Sequence, residues 1–240
     1  MADTRIHLCG RLVVRIGDRR VESDLPGRQG RIVFAYLALN RQRPVSRDEL
    51  EDALWARAGA SDRLSPLLSK LRRLVPLEGR AELTLELGDD AWVDVEAAGQ
   101  ALHRAEGALG RGDWTAAWGP GRVAQHIAAR RLLPGEDAPW IDDRRRQLEE
   151  VHLRALDLVG RACVEIGGGE LDTADRTARA LMAGAPLRES GHRLLMEVLA
   201  ARGNAAEALI VYEGLRRRLA DELGAAPSPA SQELHRRLLG

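Results

Sequence analysis

Only two cysteines occur in the 240 residues, Cys9 and Cys163, and they stand far apart with no Cys-x-x-Cys spacing. A disulfide framework and a structural zinc site are thereby excluded, and both thiols read as small core residues. No apolar run approaches the ~20 residues needed to cross a bilayer, and the opening Met-Ala-Asp-Thr-Arg lacks the apolar stretch of a signal peptide. These absences predict a cytoplasmic chain with no membrane partner. Lysine is almost missing too: Lys70 stands alone, so the abundance of arginine reflects a general bias and carries little weight by itself. Net charge is also absent, 36 basic residues balancing 36 acidic ones. The balance conceals a split. Residues 1–80 hold 16 Arg and Lys against 10 Asp and Glu, leaving 20 against 26 for the rest. A basic head on an acidic body is the pattern of a nucleic-acid binder with a separate partner-binding region.

The stretch that gives this split a direction is Ser61 to Val75. Wound at ~100° per residue, it places Leu64, Leu67, Leu68, Leu71, Leu74 and Val75 on one arc, with Ser65, Ser69, Lys70, Arg72 and Arg73 opposite. One face wants a core. The other carries the side chains that a helix in a major groove uses, since Arg forks onto guanine edges while Ser and Lys hold phosphates. A solvated basic face on an ordinary surface helix is the bland reading of the same pattern. Pro66 leaves two starts open. With Ser61 as cap the proline falls inside the helix, and with Ser65 as cap it occupies the first helical position.

Before this helix, residues 5–22 alternate in short strands with a turn at Gly17-Asp18. A helix over Arg31 to Leu39 follows the break at Pro26-Gly27 and stops at Asn40. Ser46-Arg47-Asp48-Glu49 has the form of a capping box and starts a second helix through Leu50, Leu54 and Trp55, with Gly59-Ala60 as the next break. After Pro76 and Gly79, Leu83–Leu87 and Trp92–Val95 read as two strands of a hairpin joined at Gly88-Asp89-Asp90. Strands, three helices and a hairpin make the order of a winged helix, whose third helix enters the groove.

From Glu96 onward only helical periods occur: 101–109, 115–131, 141–166, 171–183, 187–202, 205–223 and a last helix near 228–239. The turns Gly169-Glu170 and Gly203-Asn204 lie 34 residues apart, with a divergent earlier turn at Gly112-Asp113-Trp114. That period belongs to tetratricopeptide-like helix pairs, whose concave surfaces bind proteins far more often than they catalyse. The fold expected is mainly α with a small β part: a winged helix over residues 1–95, then an all-α helical repeat domain over 96–240.

Several stretches then line up with one family. Arg43-Pro-Val-Ser-Arg-Asp-Glu-Leu-Glu-Asp-Ala-Leu-Trp55, Leu64 to Leu74 and Val93-Asp-Val95 cover the first part. Trp140 with its Arg-rich helix, Pro186 to Met196, Ala208 to Tyr212 and Glu222-Leu-Gly-Ala-Ala-Pro-Ser-Pro229 cover the second. Together they resemble the Streptomyces antibiotic regulatory protein family with its bacterial transcriptional activator domain. The resemblance implies a response-regulator type winged helix and transcription activation. It further implies binding to direct repeats in double-stranded DNA near promoters, a homodimer on that DNA, and contact with RNA polymerase through its sigma factor. Carried over by position, Ser65, Ser69, Lys70, Arg72 and Arg73 face DNA, while Leu64, Leu68 and Leu71 are core. Longer members add nucleotide-binding or sensor domains, which are not expected here. Two departures stand out: Asp89 and Asp90 occupy the expected wing tip, where phosphate repels carboxylates, and Pro66 lies in the reading helix.

No enzyme chemistry is expected, and neither a cofactor nor a metal. Gly167-Gly168-Gly169 lacks a preceding strand and a following Gly-Lys-Ser/Thr, so it reads as a turn. The six histidines have no ligand spacing. Asp142-Asp143 suits the start of a helix, and Trp114, Trp118 and Trp140 suit packing in the repeat core. The alternative function is a tetratricopeptide-like interaction regulator that has lost direct DNA binding and acts through a partner; Asp89, Asp90 and Pro66 motivate it.

Overall fold

The computed structural model describes residues 4–55, 61–88 and 90–240. The expected break at Gly59-Ala60, the Ser61 side chain as a cap and Asp89 lie outside the described residues. Two compact units form, one from residues 1–99 with 127–149 and one from residues 100–126 with 150–240.

In the first unit, β1 (Thr4–His7) pairs antiparallel with β2 (Val13–Ile16), which pairs with β3 (Arg19–Arg20). Gly17, at φ 58°, takes the left-handed conformation their tight turn demands. Next comes α1 (Gly27–Leu39), preceded by Pro26 and starting four residues before the position that apolar spacing predicts. Its Val33, Phe34, Leu37 and Ala38 are buried, and the Asn40 amide donates to the Tyr36 carbonyl at its end. Then follow β4 (Val45–Ser46), α2 (Arg47–Trp55), α3 (Ser61–Leu71), β5 (Leu77–Glu78) and β6 (Glu82–Leu85). The backbone N–H of Glu49 donates to Ser46 Oγ at 3.1 Å, the first half of the capping box. The second half is replaced: Arg43, and then the Tyr36 hydroxyl, engage the Glu49 carboxylate and hold it below its ordinary pKa.

The hairpin expected between 83–87 and 92–95 is not formed. Strand β6 lies in a three-stranded sheet of order β4-β6-β5, whereas β7 (Trp92–Val93) lies in the other sheet, parallel to β1. The cause is Asp94, which is wholly buried and accepts backbone N–H bonds from Leu8, Cys9 and Val95 at 2.9–3.0 Å. A carboxylate this far from water requires such donors, and they lock the chain after β7 against the end of β1. Burial still pushes the Asp94 carboxyl above its ordinary range, against the pull of those donors. Trp92 packs on His7, their rings 4.8 Å apart.

Residues 127–149 add a second seam to this unit. Gly10 N–H donates to the Arg131 carbonyl and Leu133 N–H to the Leu8 carbonyl, both at 2.8 Å. Glu136 is buried and receives Arg28 and Arg31 of α1, each at 2.8 Å. Arg145 donates to the carbonyls of Leu132, Leu133 and Glu136. Trp140 meets Tyr36 edge-on at 5.1 Å. This corrects the placement of Trp140 in the repeat core: its contact is with α1.

The second unit is helical throughout. Its elements are α4 (Asp94–Gly110) from residue 100 on, α5 (Trp114–Ala128) up to residue 126 and α6 (Pro139–Ile166) from residue 150 on, then a 3-10 turn (Gly168–Glu170) and α7 (Leu171–Gly184). They continue through α8 (Glu189–Ala201), α9 (Ala205–Leu223) and α10 (Pro229–Leu239). Alanines at 101, 105, 108, 117, 124 and 155 fill one core with Leu102 and Leu158, so the helices approach closely. Gly160 is needed for the same reason: a Cβ there would lie 2.2 Å from Leu194 Cδ2. Leu194, Leu195, Met196, Leu199, Ala208 and Tyr212 form another core. At the start of α10 the Glu189 carboxylate accepts from Ser228 N–H, Ser228 Oγ and Ser231 Oγ, where the helix dipole also favours an anion. Both cysteines are buried, and burial pushes the Cys9 thiol to about 12 and the Cys163 thiol to about 11. No described helix is long and apolar enough to cross a membrane.

Burial in α8 holds the His192 imidazole below its ordinary pKa of 6.5. Below that pH the unfolded chain binds a proton that the folded chain resists, so stability is lost as pH falls from 6.5 toward the folded value. Urea denaturation across pH 5–7 is expected to show this decline in the native protein and a flatter one in His192→Gln.

Candidate nucleic-acid interface

Helix α3 owes its orientation to three leucines. Leu64, Leu68 and Leu71 have no exposed surface, while Ser65, Ser69 and Lys70 point to water. Spacings of three and four residues put the leucines on one stripe and leave the hydroxyls and the ammonium on the other side.

Arg72 and Arg73 are exposed but lie beyond the helix, which ends at Leu71 and not at Val75 as apolar spacing predicts. Arg72 N–H still donates to the Leu68 carbonyl at 2.9 Å, but Arg73 N–H turns to the Lys70 carbonyl at 3.2 Å, a tighter turn. Val75 is buried there as the chain bends toward Pro76 and β5. The Arg72 guanidinium donates to the Gly79 carbonyl at 2.5 Å. Neither Lys70 nor Arg73 has an ion-pair partner among the described residues, and Arg72 has none beyond its carbonyl contact. Pro66 lies inside α3, as the Ser61 start requires. It gives up the single N–H bond to the carbonyl one turn earlier, and its ring is exposed.

The hairpin beside α3 is β5–β6. Its Gly79 sits at φ +84°, and a Cβ there would fall 1.8 Å from the Glu82 carbonyl oxygen. Arg80 is exposed at its turn. The start of α2 joins the same corner: Arg47 N–H donates to the Ala81 carbonyl at 3.1 Å and its guanidinium to Ser65 Oγ at 2.7 Å. Ser65, Ser69, Lys70, Arg72, Arg73, Arg47 and Arg80 thus share α3, the turn after it and the two segments tied to it. Sequence spacing misses Arg47, which reads as part of a capping box, and Arg80, which reads as part of a chain break.

Asp90 does not lie on this hairpin. Its segment crosses between the two sheets, where Arg41 donates to the carbonyls of Gly88 and Ala91 and pairs with Glu96 at 2.9 Å. Asp90, expected at the wing tip, is therefore corrected to a corner beside the end of α1. No described group of three His, Cys, Asp or Glu is placed to hold a metal ion.

Comparison with known proteins bears on this geometry. Residues 93–239 match the family model described as "Bacterial transcriptional activator domain". The chain is 34% identical over 218 residues to "Regulatory protein AfsR" of Streptomyces coelicolor, covering 88% of this chain and 22% of that protein. It is 30% identical to "Transcriptional regulatory protein EmbR" of Mycobacterium tuberculosis, covering 97% of this chain and 62% of that one. The chain therefore spans about a fifth of the first relative and less than two thirds of the second. Its fold matches the solved structure "Mycobacterium tuberculosis EmbR in complex with low affinity phosphopeptide" with a TM-score of 0.84 and 24% identity. That match takes in 99% of this chain and 64% of the other.

Gly79→Ala is expected to destabilise the first unit by about 2 kcal/mol or more, because it joins a left-handed φ to a backbone clash. Urea unfolding followed by tryptophan fluorescence measures this; a loss under about 0.5 kcal/mol contradicts the hairpin geometry.

Proposed function

The chain belongs to the Streptomyces antibiotic regulatory protein family, with its bacterial transcriptional activator domain, and from that premise we propose that it is a sequence-specific DNA-binding transcription activator. Residues 1–95 act as the DNA-binding part and 96–240 as the helical activator part. The observation that carries the reading is the outer side of α3. Its inner side is leucine with no exposure, and Lys70 and Arg73 outside it are cations without an ion-pair partner among the described residues.

The physical roles divide by chemistry. Lys70, Arg80 and Ser65 hold phosphates and set the register of the helix, while Ser69, Arg72 and Arg73 reach base edges and the adjoining backbone. Arg72 exchanges its carbonyl contact at Gly79 for DNA. Two copies bind neighbouring direct repeats, and their helical parts contact RNA polymerase and its sigma factor. Arg80 at the hairpin turn offers a phosphate a cation between the exposed Glu78 and Glu82, and Asp90 lies off the hairpin.

Genomic fragments retained by the immobilised protein, titrated across salt, test the proposal. Affinity should fall steeply with salt, with the slope reduced by about 0.9 for each phosphate contact removed. Lys70→Ala should weaken all fragments alike, while Arg72→Ala combined with Arg73→Ala should cost roughly a hundredfold or more on the selected site and relax its sequence preference. Absence of any retained fragment at low salt, with the protein folded, refutes the proposal.

A further inference from the structure

The helical unit holds a cleft of about 210 Å³ between α6 and α8, lined by Asp157, Arg161, Ser190, Arg193, Leu194 and Glu197. Asp157 and Arg161 are one turn apart on α6, and the other four share one side of α8. Charges of both signs meet here and do not neutralise each other. Among the described residues Asp157, Arg161 and Glu197 form no hydrogen bond and no ion pair. Arg193 donates to Ser231 Oγ at 3.1 Å and comes no nearer than 3.9 Å to Glu189.

Glu197 is the telling group. It is half-buried, and burial, with the like charge of Glu165, pushes its carboxyl above the ordinary range against the attraction of Arg161, Arg237 and Arg193. A carboxylate with three arginines around it normally closes onto one of them, because a buried charge without a partner is costly. Glu197 closes onto none of them here. Gly160 admits Leu194 so tightly that a Cβ would clash at 2.2 Å, which fixes the two helices and the leucine floor of the cleft.

A phosphate would be repelled by Asp157 and Glu197, and a metal ion by Arg161 and Arg193. A ligand with both charges satisfies all four. We propose that this cleft binds a small zwitterion of the α-amino acid class. Its ammonium sits between Asp157 and Glu197, and its carboxylate meets Arg161 and Arg193. The volume is below the ~300 Å³ at which drug-sized pockets begin, which suits a molecule of amino-acid size and excludes a folded peptide. The site is independent of the DNA-binding reading and gives the helical unit a small-molecule input.

Calorimetric and NMR titration of the full chain, without DNA, tests this with the standard α-amino acids as probes, each beside its N-acetyl and its carboxamide derivative. At least one amino acid should saturate at millimolar concentration. Both of its derivatives should bind about tenfold more weakly or worse, a difference of about 1.4 kcal/mol. Glu197→Gln and, separately, Asp157→Asn should each give a similar loss while leaving circular dichroism unchanged. Failure of every amino acid to bind, equal binding of the derivatives, or undiminished binding by both folded variants overturns the proposal.

Discussion

Complete withdrawal of Leu64, Leu68 and Leu71 from water is the constraint on which the outer surface of α3 depends. Each buried leucine is worth about 1.5–3 kcal/mol. A rotation of the helix by a quarter turn would forfeit most of that, far more than any single exposed ion pair returns. The orientation of Ser65, Ser69 and Lys70 is therefore set from beneath, by packing and not by contacts of their own. Such a surface can be rich in unpartnered cation without loss of definition, and it is available to a polyanion.

A second constraint acts at a distance along the chain. Asp94 binds three backbone N–H groups and fixes where β7 ends and α4 begins. Glu136 does similar work with Arg28 and Arg31. Both are acidic residues removed from solvent, and each joins segments more than 80 residues apart in sequence. Glu136, with the backbone bonds of Gly10 to Arg131 and of Leu133 to Leu8, explains why residues 127–149 pack with residues 1–99 although the family match runs continuously over 93–239.

What sequence could and could not disclose follows from the range of the forces involved. Helices are readable to within about four residues, because their signals are local, apolar periods of 3.6 and glycine or proline at the ends; the exception is α4, which starts at Asp94 and not at 101, where residues 94 and 95 read as the end of a strand. Gly17, Gly112, Gly203 and Gly224 all adopt the left-handed conformation at turns or helix ends. The exposed side of α3 was readable for the same reason. The partner of β7 was not, since periodicity identifies a strand without naming its neighbour, and the buried donors at Leu8 and Cys9 look like ordinary backbone in sequence. Glu136 and Trp140 were invisible as members of the first unit because their partners on α1 are more than 100 residues away. The end of α3 at Leu71 was missed because Leu74 and Val75 keep the helical period while the chain has already turned. Arg80 carries no local signal, because Gly79 beside it reads only as a break.

The proposed function sets DNA on the outer face of α3, and that placement is the step to be measured. Both native cysteines are buried, so Ser69→Cys supplies a uniquely reactive thiol on the outer face of α3. Attaching a photo-activated cross-linker there, in the presence of a selected genomic fragment, should yield a covalent adduct with base edges at a fixed place in each half of the site. Adducts formed from a thiol placed on the helical unit, with none from position 69, would contradict the account.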